Sequence, residues 1–255
     1  MNGGRNIFSA IPPVTKNLII INFIIWLAMM IVPSRTGFDI TKFGALHYFE
    51  ASDFNPVQLV TYMFMHSTRD FAHILFNMFT LFMFGITLER VIGSQRFLFY
   101  YLSCGIGAAL IQELVWSFTW QDAAVKTLAN LYHVDFPEMR DVIQQVLSGK
   151  PIGNVRENLM AFQNMYVTVG ASGAIYGVLL AFGMLFPNRP LYLMFVPVPI
   201  KAKWMVIGYG AIELLIGLSQ ANDGVAHFAH LGGMIFGFIM IYYWKKKGIV
   251  HGDSF

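Results

Sequence analysis

The groups in this chain best suited to chemistry are one serine among small residues and a few histidines and an asparagine inside apolar runs. Ser172 stands in GASG, flanked by Gly170, Ala171, Gly173 and Ala174, and His230 stands in AHFAHLGGMIFG. A free hydroxyl is a poor nucleophile until a positioned base takes its proton, so the pair reads as nucleophile and general base. His73 and Asn77 are four residues apart, hence on one face of a helix. Both can donate hydrogen bonds to the oxyanion that develops in acyl transfer, where one donor is worth roughly 3 to 4 kcal/mol, and the Ser172 amide offers a third. Each residue also has a plainer reading. The serine would ease helix packing with its hydroxyl on a carbonyl one turn back, His230 would be a satisfied buried imidazole, and His73 with Asn77 would be interhelical glue. His227, one turn before His230, is the rival base. A zinc site built from His66, His73, His227 and His230 lacks any HExxH or comparable carboxylate spacing, so neither metal nor cofactor is expected.

These groups need helices to hold them in lipid. Of the 255 residues 56% are hydrophobic and 12% charged, and the mean hydropathy is +0.56, which leaves too little polar surface for a water-facing globule. The net charge of +3 is small and shows no basic face, so a nucleic-acid partner is excluded. Cys104 is the only cysteine and reads as a small packing residue. Apolar runs near 18–33, 70–89, 96–118, 165–186, 203–219 and 226–244 predict six membrane-spanning helices in a single domain over 1–255. The first run lacks a signal-peptidase pattern and reads as a retained span. Gly173 with Gly177, and Gly233 with Gly237, repeat a small-xxx-small spacing that lets two helices approach closely and carries Ser172 toward His230.

Orientation follows from the basic residues. Arg5, Lys16, Arg90, Arg96, Arg189, Lys201, Lys203 and the tail lysines Lys245, Lys246 and Lys247 fall on one side, and most acidic residues fall on the other. Both termini are therefore expected in the cytoplasm, with Ser172, His230, His73 and Asn77 toward the outer side. The segment from Pro33 to Arg69 reads as an interfacial loop. A polar insertion at about 119–163 is expected to form two short amphipathic helices outside the membrane, broken at Pro137. Glu113 and Glu213 lie inside spans; each would be protonated, face water, or pair with a polar neighbour such as Gln112.

In these residues the chain resembles the rhomboid intramembrane proteases. The resemblance is carried by GASG at 170–173, AHLGGMIFG at 229–237 and HILFN at 73–77, with MFMH ending at His66, the LERVIG turn and PPVTKNLIIIN as weaker features. It implies an all-α, six-helix rhomboid-like bundle and a Ser172–His230 dyad with no third acidic member. It also implies an oxyanion site from His73, Asn77 and the Ser172 amide, with Gly170 in support and Tyr176 packed against the base. Cleavage of single-span or polytopic membrane protein substrates in the lipid bilayer follows, without cofactor. A multi-pass protein of the bacterial plasma membrane is the expected setting, with the loop from Ser219 to Ala226 covering a polar cavity. A helix-binding protein without activity and a transporter are the rival readings.

Overall fold

The computed structural model describes residues 11–192, 198–219 and 225–252. The loop expected to cover the cavity falls largely on 220–224, outside the described residues. The chain is mostly helical. Helix α1 (Pro13–Thr36) opens on Pro13, whose missing N–H costs nothing at a helix start, and closes at Gly37, which has φ of 73°. Two short helices, α2 (Ile40–Gly44) and α3 (Gln58–Thr61), follow in the connecting segment. A continuous 22-residue helix then spans Phe71–Ile92. Its parts are α4 (Phe71–Thr80), a π turn over Leu81–Gly85, and α5 (Ile86–Ile92).

Helix α6 (Ser94–Tyr132) is 39 residues long. The helices α7 (Phe136–Leu147) and α8 (Val155–Gln163) fold back on its second half. The sequence-based reading of 119–163 is thus half right. Pro137 stands in the first turn of α7, which opens on Phe136, but the stretch up to Tyr132 continues α6 without a break. Last come α9 (Ser172–Leu185), α10 (Ala202–Leu218) and α11 (His227–Lys246). Among the described residues three helices, Pro13–Thr36, Phe71–Ile92 and Ser94–Tyr132, are long and apolar enough to cross a membrane.

Close packing of α6, α9 and α11 forms the centre of the bundle. A Cβ added to Gly233 would stand 1.8 Å from the Gly173 carbonyl oxygen, and one added to Gly237 would stand 3.2 Å from Gly177 Cα. The two small-residue faces therefore meet backbone to backbone, as their spacing predicts. Gly232 presses on α6 in the same way, with a Cβ there only 3.0 Å from Ala108 Cα. Tyrosine hydroxyls add ties to α6: its own Tyr100 donates to the Gly177 carbonyl of α9, and Tyr62 of the connecting segment donates to the Gly105 carbonyl, each at 2.7 Å. Lipid and core offer no water, so each such donor needs a protein acceptor.

At the opposite end from Ser172, Glu89 of the LERVIG turn ties three helices together. Its carboxylate accepts from the Val14 and Thr15 amides at 2.9 and 2.7 Å, from the Thr15 hydroxyl at 2.8 Å and from the Ser94 hydroxyl at 2.7 Å. The first amides of α1 have no acceptor within their own helix, and an anion at that terminus satisfies them.

Candidate active site

Residues 165–171 are not helical, contrary to the expected start of the fourth span. Strand β2 (Val167–Thr168) pairs antiparallel with β1 (Leu46–His47), and the Gly170 amide donates to the Tyr62 carbonyl at 3.0 Å. An apolar run reads alike as a buried strand or as a helix segment, and here strand pairing took its first residues. A second two-stranded ladder, β3 (Pro190–Leu191) with β4 (Ile200–Lys201), closes the turn between α9 and α10.

Ser172 is in consequence the first residue of α9. Its N–H has no acceptor within the helix and lies at the positive end of the helix dipole. Gly170 has φ of 135°, a region open to glycine, and a Cβ there would sit 3.0 Å from His73 Nε2 and 3.5 Å from Ser172 Oγ. Its bare Cα is what lets the His73 ring come up beside the serine.

The Ser172 hydroxyl lies 2.8 Å from His230 Nε2. The expected pair is thus joined across 58 residues of sequence, and the packing-only reading of Ser172, with its hydroxyl on a carbonyl one turn back, does not describe this contact. Tyr176 stacks on His230, with ring centres 4.3 Å apart and planes 6° from parallel. His73 Nδ1 accepts from the Ser67 amide at 3.4 Å, which assigns the ring proton to Nε2 on the serine side. The Asn77 amide nitrogen donates to the His73 carbonyl at 2.7 Å and keeps its second N–H for another acceptor.

Glu213 is the residue whose role the sequence does not disclose. Buried on α10, it receives the Tyr176 hydroxyl on Oε1 and lies 2.6 Å from His227 Nδ1 through Oε2. The same Oε2 is 3.0 Å from His230 Nδ1. An acidic group therefore does stand behind the base, where none was expected. His227, the rival base, is engaged with this carboxylate. The sequence signal was only the presence of a carboxylate in an apolar helix, which marks a functional candidate without naming its partners. Of the alternatives open for Glu113, the structure shows pairing with a polar group: its Oε2 accepts from the Phe49 amide of the connecting segment at 2.9 Å.

The four histidines weighed as a zinc site do not gather. His66 and His73 face each other with rings 5.1 Å apart. Among the described residues, the ligand atoms of Glu213, His227 and His230 lie within 4.8 Å of one another. That spacing could admit an ion, but it equally suits direct hydrogen bonding, and the 2.6 Å contact is of that kind.

A helical bundle with apolar helices long enough to cross a membrane, in which a half-buried serine hydroxyl meets a buried histidine ring, defines a class of helical membrane protein. The family profile described as Rhomboid domain matches residues 53–120 and 142–247, more than half of the chain. This chain belongs to the rhomboid family. It is similar to Rhomboid protease AarA of Providencia stuartii, 28% identical over 186 residues that cover 69% of this chain and 51% of that protein. It is also similar to Rhomboid protein 1, mitochondrial, of Saccharomyces cerevisiae, 24% identical over 192 residues covering 75% and 43%. Putative rhomboid protease YdcA of Bacillus subtilis is 26% identical over 192 residues covering 74% and 68%. The chain spans about half the length of the first two relatives.

Proposed function

We propose that this protein is an intramembrane serine endopeptidase that cleaves membrane-spanning segments of single-span or polytopic proteins. The observation that carries the reading is the 2.8 Å contact between Ser172 Oγ and His230 Nε2, in a chain of a family whose named relatives include proteases. In the proposed reaction the Ser172 hydroxyl gives its proton to His230 Nε2 as its oxygen attacks the scissile carbonyl. The negative charge that forms is met by the Ser172 amide, His73 Nε2–H and the free N–H of Asn77. His230 returns the proton to the leaving amine. Water, deprotonated by the same imidazole, then attacks the ester; the bond from the acyl carbon to Ser172 Oγ breaks and His230 returns the proton to that oxygen. Each step is carried by side chains and backbone of the chain, and no metal or cofactor has a role.

The reading includes six spans, made by α1, α4 with α5, α6, α9, α10 and α11, in one domain with 119–163 outside the membrane. Helix α9 has 14 residues and runs only about 21 Å at ~1.5 Å per residue, short of a hydrocarbon core of about 30 Å. If its Leu185 end reaches the surface beside Arg189, Ser172 lies below the opposite surface, where a substrate helix must unwind locally to present its backbone. Cytoplasmic termini and a bacterial plasma membrane complete the proposal.

The test is cleavage of a tagged transmembrane substrate in liposomes by the wild type, Ser172→Ala and His230→Ala. Both variants are expected to lose at least 10³-fold in rate while keeping the wild-type melting temperature. Cleavage by Ser172→Ala at the wild-type rate would sink the reading.

A further inference from the structure

A carboxylate buried in an apolar helix is costly to keep, and Glu213 is only 7% exposed. Its surroundings are three potential donors: the Tyr176 hydroxyl, His227 Nδ1 at 2.6 Å and His230 Nδ1 at 3.0 Å. An ionised carboxylate accepts from the first two at once and leaves Oε2 facing the third, whereas a protonated one would have to donate to one of them. We propose that Glu213 is a positioning residue for the proposed protease reaction, holding His230 as the Nδ1–H tautomer and stabilising its imidazolium, so that the centre works as a serine–histidine–glutamate relay. The inference rests on the protease reading above.

Two features of the geometry support a role in the reaction beyond packing. His230 can accept the serine proton only if Nε2 is bare, which requires the ring proton on Nδ1, the nitrogen that faces Glu213. The Nδ1–H axis misses Oε2, so Nδ1 has no aligned hydrogen-bond partner in the resting ring. The contact is therefore weak while the ring is neutral. It strengthens once Ser172 has handed over its proton and the ring is charged, and an interaction stronger in the transition state than in the ground state is what accelerates a reaction. Glu213 also fixes the orientation of the ring indirectly. Tyr176, stacked on His230 at 4.3 Å, is itself tethered through its hydroxyl to Glu213 Oε1. His227, one turn away on α11, anchors the other oxygen. Glu213 thus links α10 to the base on α11 and to the clamp on α9.

The experiment compares the full-length wild type, Ser172→Ala, Glu213→Gln and Glu213→Asp in liposomes, measuring kcat and KM for one transmembrane substrate from pH 5 to 9. Melting temperature and the rate of Ser172 labelling by a fluorophosphonate are read on the same samples. Glu213→Gln is expected to lose about 10² to 10⁴-fold in kcat with little change in KM. Its labelling should slow in parallel, and the acid limb of its kcat/KM profile should move to lower pH because the charge beside the imidazolium is gone. Glu213→Asp should recover part of the rate and keep the limb near its wild-type position, and it carries the test if the glutamine variant does not fold. A glutamine variant within threefold of the wild type, or one whose loss follows its melting temperature with an unmoved limb, would overturn the relay and leave Glu213 a structural tie. A wild type no faster than Ser172→Ala would instead overturn the protease reading, and the relay with it.

Discussion

Single side chains in this protein sit where one atom more or less decides the chemistry. Gly170→Ala would force a side chain into φ of 135° and set its Cβ 3.0 Å from His73 Nε2. In the proposed reaction the expected outcome is a properly inserted protein with at least tenfold less cleavage, since moving one proposed oxyanion donor out of place would cost up to about 10² to 10³-fold. Tyr176→Phe should keep the stacked ring and lose only the bond to Glu213, and Tyr176→Ala should lose both. The rates are expected to fall in the order wild type, Phe, Ala, and a phenylalanine variant slower than the alanine one would refute the clamp. His66 makes a separate prediction. Fully buried, with neither ring nitrogen hydrogen-bonded, it is pushed down to about 3 by desolvation, with a smaller contribution from His73. A histidine with a folded pKa below its unfolded value contributes its full stability above about pH 6.5 and loses it as the pH falls toward 3. At pH 5 the loss is on the order of 2 kcal/mol. Thermal unfolding in detergent at pH 7.5 and 5 should show it, and His66→Leu should flatten the difference.

Helices, by contrast, were largely legible because their signals are local. The Gly173, Gly177, Gly233 and Gly237 spacing announced a close pair, and Gly173 and Gly233 prove to touch through backbone atoms. Gly233→Ala should therefore cost about 1 to 3 kcal/mol or more from overpacking, lowering both melting temperature and activity. Gly208→Ala on α10 is the control: nothing lies within 4 Å of its Cβ position. Removing a mid-helix glycine there is expected to be neutral or to gain roughly 0.5 to 1 kcal/mol. The sequence hid whatever depends on contacts between distant segments. The apolar run before Ser172 hid the β1–β2 pairing, which displaces the start of α9 to the serine itself. Glu213 is 37 residues from Tyr176 and 14 from His227, so only the packing of α10 against α9 and α11 could disclose its company. The Glu89 cap on α1 was silent for the same reason, being made across about 75 residues of chain.

At the scale of the whole molecule, the largest hydrophobic cluster among the described residues does not stop at the membrane helices. Helix α6, at about 58 Å by ~1.5 Å per residue, is much longer than a hydrocarbon core of about 30 Å. Buried Met139, Ile143, Val146, Val155 and Leu159 of α7 and α8 join the same cluster as Trp120, Ala124 and Leu128 of α6, and through Trp116 the cluster continues into the bundle. Tyr166 is the junction. It meets Trp116 edge-on at 5.6 Å, Phe162 at 5.5 Å and Tyr48 at 6.4 Å, and its carbonyl accepts from the Tyr48 amide at 3.1 Å. One residue later begins the strand that delivers Gly170 and Ser172. Damage to the helical hairpin should thus reach the serine chiefly through Tyr166, which lies between the hairpin and the strand before Ser172. Ile143→Ala, expected to cost about 2 to 5 kcal/mol of local packing, should speed tryptic cutting at Lys126, Lys150 and Arg156 while leaving fluorophosphonate labelling of Ser172 within a few-fold. Tyr166→Ala should raise the first and depress the second. Equal depression of labelling by both variants would mean instead that hairpin and active centre unfold together, as a single cooperative unit with no junction between them.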